Sequence, residues 1–107
     1  MSDEYSKFPI VEEYDPQEVL WHKTPEWKLS DVIKDGLNPR FSAKSDKAIY
    51  LTDIRSKRRL GVELGVKKHF LDPEQLVVDK VLVSGATHYK YYGLIPPEAL
   101  FRRSNLS

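Results

Sequence analysis

The chain of 107 residues contains no cysteine. That single absence removes disulfides, thiolate nucleophiles and thiolate metal ligands together. It fits a reducing compartment. Excess charge of either sign is also missing: 17 lysines and arginines stand against 16 aspartates and glutamates, a formal net charge of +1. Bulk electrostatic steering is therefore excluded, and a nucleic-acid partner would have to be met by a local basic patch. No apolar run approaches the ~18 residues that a membrane helix requires. The opening stretch "MSDEYSKFPIVEEYDP" is acidic and mixed, unlike a signal peptide. There is no P-loop, no G-x-G-x-x-G and no G-x-S-x-G. His22, His69 and His88 have no short ligand spacing, so no metal is expected. These absences point to a soluble cytoplasmic protein without a membrane or metal partner.

What is present is an ordinary globular mixture, 40% hydrophobic and 31% charged, long enough for one compact domain. Residues 1–16 read as a loosely ordered arm whose Phe8, Ile10 and Val11 can dock on a core, and residues 17–107 as the domain. "EVLWH" (18–22) is a strand rich in β formers. Thr24-Pro25 reads as a helix start, with Thr24 as N-cap and Pro25 at the first helical position. Leu29, Val32 and Ile33 form the buried stripe of that helix. Gly36 is its left-handed terminator, with Leu37 packing back on the last turn. "NPRFSAKSDK" is a polar loop, and "AIYLTD" (48–53) a second strand. The segment 54–70, "IRSKRRLGVELGVKKHF", satisfies both periods, because Leu60, Val62, Leu64 and Val66 alternate while Leu60/Leu64 and Val62/Val66 are helical neighbours. Its length favours a second helix, although Gly61 and Gly65 weaken that reading by about 1 kcal/mol each. "LVVDKVLV" (76–83) and "YKYYG" (89–93) are further strands, and residues 99–101 a final edge strand. The order β-α-β-α-β-β predicts an α+β domain with a mixed or antiparallel sheet and two helices.

The segments "LWHKT…LSDVIKDGLNPR…AIYLTD", followed by "DPEQLVVDKVLVSG" and "YKYYGLIPPEAL", resemble the ADP-ribosyltransferase fold over roughly residues 20–100. Members show a strand ending in His-x-Thr or His-Gly-Ser/Thr, a helix ending "I…GL.P" and a strand of the form "hYLT". The resemblance implies NAD as substrate, bound in a cleft where the nicotinamide–ribose bond breaks through a cationic transition state. It implies that His22 hydrogen-bonds the adenosine-side ribose, that Thr24 steadies the strand end with Lys23 beside it, and that Tyr50 stacks on the nicotinamide. His22 and Tyr50 are then expected to face each other across one cleft. The family's third position is usually a glutamate. Here it falls near His88, which would have to lie opposite His22. The nearest carboxylate is Glu98 in "IPPE". A neutral imidazole supplies no negative charge for an oxocarbenium-like state.

Each residue has a plainer reading. His22 can be a satisfied strand histidine and Tyr50 a boundary tyrosine with its hydroxyl in water. His88 can be an exposed loop residue. The basic run Arg55, Lys57, Arg58 and Arg59 is usually a solvated face, whereas Arg40, after "LNP", borders the expected cleft and can hold a phosphate. Two alternatives stand beside NAD-dependent transfer of ADP-ribose to a protein or nucleic acid. One is an RNA 2'-phosphotransferase-like enzyme on the same scaffold, using Arg40 and the Arg58/Arg59 pair. The other is a non-catalytic interaction protein, such as a phage inhibitor or toxin-system component.

Overall fold

A computed structural model describes residues 4–42, 45–55 and 61–103. Six strands form one antiparallel sheet: β1 (Val19–Thr24), β2 (Ile49–Thr52), β3 (Val62–Lys67), β4 (Leu76–Val81), β5 (Thr87–Tyr91) and β6 (Leu100–Phe101), in the spatial order β4-β5-β2-β1-β3-β6. One α-helix, α1 (Leu29–Asp35), follows β1. The α+β expectation holds at this level, with one described helix in place of two.

The second expected helix is corrected. Residues 62–67 of the segment form β3, paired with β1 along its whole length, and a 3₁₀ turn follows at Lys68–Phe70. Lys57, Arg58, Arg59 and Leu60 lie outside the described residues. Leu64 and Val66 are both fully buried and both point to the helix side of the sheet, so the two-residue period is the one that packing uses. The first helix also begins later than expected. A residue before proline is pushed toward extended backbone, and Thr24 accordingly stays in β1. Pro25 then opens a 3₁₀ turn, Glu26–Lys28, and the α-helix proper starts at Leu29.

The sheet has apolar packing on both faces. On one face Leu20, Ile49, Leu51, Leu64, Val66, Tyr91 and Leu100 meet Leu29 and Val32 of α1, and Phe8 joins them from the N-terminal segment. On the other, Val19, Trp21 and Phe101 pack together beneath Val11 and Tyr14. Gly65 makes the second cluster possible, because the Phe101 ring lies where a side chain at position 65 would stand.

α1 ends where the sequence says it should. Gly36 takes φ 80° and its amide donates to the Val32 carbonyl. Leu37 then exchanges backbone hydrogen bonds with Ile95, at 2.8 and 2.9 Å. This pair ties the helix exit to the C-terminal segment.

Candidate functional site

β1 and β2 share a single register pair, Trp21 opposite Thr52, whereas β1 and β3 stay paired from Val19 to Thr24. Beyond that point the ladder between β1 and β2 is not continued. A side-chain bond spans the opening: His22 Nδ1 lies 2.8 Å from the Tyr50 carbonyl oxygen. A carbonyl only accepts, so Nδ1 carries the proton of the neutral ring and Nε2 is left as an acceptor.

A groove of about 950 Å³ lies at this opening. His22, Thr24 and Ile49 belong to its strand side, Lys28, Asp31 and Asp35 to its helix side, and Asn38, Phe41 and Leu94 to its rim. The volume falls within the range of about 300–1,000 Å³ typical of small-molecule sites. Trp27 and Phe41 line it while 75% and 73% exposed, so both rings are open to a ligand. The Lys28 ammonium sits 5.3 Å from the Trp27 ring centroid.

Of the residues the sequence put forward, His22, Lys23, Thr24 and Tyr50 line the groove. The expected face-to-face arrangement of the two rings is corrected. His22 stands opposite Leu64 on the helix side of the sheet, whereas Tyr50 pairs with Lys90 and points to the other side. There its hydroxyl donates to Asp46 at 2.8 Å, and Asp46 also holds Lys90 at 2.7 Å. Tyr50 meets His22 through its backbone, not its ring. The carboxylate–ammonium contact holds Asp46 below the usual carboxylate range and raises Lys90. The Tyr50 phenol is raised by its bond to the same carboxylate.

The expected third member is likewise placed elsewhere. His88 lies on β5 opposite Thr52 and Lys80, on the face away from α1, so it does not stand across from His22. Glu98 is exposed in the 3₁₀ turn Pro97–Ala99. Neither lines the groove. Arg40 is exposed in the turn Pro39–Phe41, between the lining residues Asn38 and Phe41, without lining the groove itself. Trp27, Phe41, Lys28 and Leu94 were not among the expected site residues. Trp27 had a readable signal: it lies off the Leu29/Val32/Ile33 stripe, which leaves its ring outside the core.

Among the described residues no group of three or more His, Cys, Asp or Glu side chains is placed to hold a metal ion, and no described helix is long and apolar enough to cross a membrane. No protein-family model matches this chain, and no curated protein matches it.

Desolvation in the groove wall lowers the His22 pKa from 6.5; the bond to Tyr50 opposes this and the nearby Lys28 charge adds to it. The folded protein therefore keeps this ring neutral where the unfolded chain would protonate it. The resulting stability is present in full above the unfolded pKa and is lost as pH falls from 6.5 toward the lower folded value. Urea midpoints measured from about pH 7.5 to 5 should fall in the native protein. They should fall less in His22→Gln, which keeps a donor for the Tyr50 carbonyl but cannot titrate. An unchanged pH slope in that variant would remove His22 as the cause.

Proposed function

We propose that this chain is an ADP-ribosyltransferase-like protein that takes NAD in the groove at His22. The observation that carries the reading is the groove at the parting of β1 and β2, with the His22 tautomer fixed by the Tyr50 carbonyl. Nε2 then accepts a hydrogen bond from a ribose hydroxyl. Trp27 and Phe41 offer apolar ring faces for a base or nicotinamide. The Lys28 ammonium brings positive charge to the same groove, suited to a pyrophosphate.

Transfer would require a negative group beside the ribose that becomes cationic. Glu98 and His88 lie outside the groove, and its lining carboxylates belong to Asp31 and Asp35. That placement favours a second reading, a non-catalytic interaction protein that keeps the fold but not the reaction.

Calorimetric titration tests the binding. NAD should give saturable heat, and His22→Ala should weaken it by about 10-fold or more, the worth of one buried hydrogen bond to a ligand, with its circular dichroism spectrum retained. No heat with NAD would end the proposal. Nicotinamide release, followed by chromatography, then separates transfer from binding alone. RNA with a 2'-phosphate binding more tightly than plain RNA, while NAD gives nothing, would move the reading to the phosphotransferase branch and to Arg40.

A further inference from the structure

β4 is the last strand of the sheet, and no described strand pairs with its outer side. Its sequence, continued to residue 83, is "LVVDKVLV". Val78, Val81 and Val83 are 56%, 65% and 109% exposed. A β-branched edge of this length, unpaired by any described strand, is a template for another strand.

The geometry of the edge is self-complementary. The Gln75 carbonyl accepts from Tyr92, and the Leu82 amide donates to Ala86, so both ends of the hairpin fix which residues bond inward to β5. Alternation from each end leaves the amide and carbonyl groups of Val78 and Val81 pointing outward. The phase change between the two ends is absorbed by the irregularity between Val78 and Lys80. Val78 and Val81 lie on one face of the sheet, opposite Tyr89 and Thr87. Lys80 lies on the other, opposite His88, and Asp79 reaches Lys90 on that same face at 3.6 Å.

We infer that β4 pairs with β4 of a second copy about a two-fold axis through this bulge, joining the two sheets into one. Val78 of each copy then opposes Val81 of the other and exchanges backbone hydrogen bonds with it. Asp79 of each copy opposes Lys80 of the other. In a regular strand an odd register of this kind would put opposed side chains on different faces, and the axis would be forbidden. The bulge brings residues 79 and 80 to one face and makes the register consistent on both sides. An edge lysine and a bulge ordinarily deter edge pairing. Here the lysine meets an aspartate and each bulge meets its own symmetry mate, as an isologous contact requires.

Sedimentation velocity over a rising protein concentration tests this. The native chain should pass from monomer to dimer. Lys80→Glu places two acidic groups face to face twice per dimer, and Asp79→Lys places two basic groups likewise. Each should weaken the dimer by about 10-fold or more. Mixed in equal amounts, the two variants should form a heterodimer, because every contact across the axis is then of opposite charge. Val78→Lys should stay monomeric with either. All three positions are exposed, and unchanged near-UV spectra would verify the fold. A native chain that remains monomeric throughout, a dimer untouched by Val78→Lys, or charge variants that do not associate on mixing would each overturn the inference.

Discussion

Gly36→Ala is expected to lower the unfolding free energy by about 3 kcal/mol, a large fraction of the roughly 5–15 kcal/mol that holds a domain of this size together. Two causes add. The backbone at Gly36 has φ 80° and ψ −163°, a combination that L side chains avoid, and holding alanine there costs of order 1–3 kcal/mol. A methyl group would also run into the Ile95 carbonyl oxygen. That oxygen accepts from Leu37, and the paired bond returns from Ile95 to the Leu37 carbonyl, so the clash cannot be relieved without opening the tie between the helix exit and the C-terminal segment. Each lost backbone bond costs about 1 kcal/mol. Gly85→Ala is the control. Gly85 has φ 94°, yet nothing lies within 4 Å of where its Cβ would be. It should cost only the backbone strain, about 1 kcal/mol. Urea midpoints with unchanged m-values would measure both. Equal costs at the two sites would show that the Ile95 contact contributes nothing.

Gly36 was also among the parts of the fold that the sequence made legible, since a glycine after the last apolar position of a helical stripe has one common use. "AIYLTD" and "EVLWH" were legible for a similar reason: both are short, β-branched and bounded by turn residues. The segment containing β3 was not. Leu60, Val62, Leu64 and Val66 fit either period, and what decides between them is remote. Phe101 needs the bare position at Gly65, a contact no local pattern contains. The candidate site was legible only in part: His22, Lys23, Thr24 and Tyr50 line the groove, whereas His88, Glu98 and Arg40 do not, and Trp27, Lys28, Phe41 and Leu94 were not expected there. Tyr50 alternates with Ile49 and Leu51, which turns its ring to the face away from α1. The same rule places His22 with Leu20, but β1 carries buried apolar residues on both faces, Leu20 on one and Val19 and Trp21 on the other, so neither face announces which side opens into the groove. Where β1 and β2 part is a property of their pairing, and strand sequences alone do not encode it.

The largest effect of all should come from Phe101→Ala, at about 3–5 kcal/mol. The ring is fully buried, lies 5.7 Å from Trp21 and 5.9 Å from Tyr14 by centroid, and covers Gly65. Removing it leaves a void beneath the N-terminal segment and takes two aromatic contacts with it, each worth about 0.5–1.5 kcal/mol beyond its buried area. The more telling measurement is a double-mutant cycle. In the native background Gly65→Ala should destabilise by about 1–3 kcal/mol, since the new methyl enters the space of the ring and the ring is held by Trp21 and Tyr14. With Phe101→Ala already present the collision is gone. Alanine then fills part of the void and holds a strand better than glycine by about 0.5–1 kcal/mol, so the same substitution should become neutral or stabilising. The change of sign is the signature of a glycine retained to make room for a side chain, not for its backbone freedom. Gly65→Ala costing the same in both backgrounds would mean that the glycine is needed for the backbone of β3 itself, and the two-faced sheet would then owe its second cluster to something other than this pair.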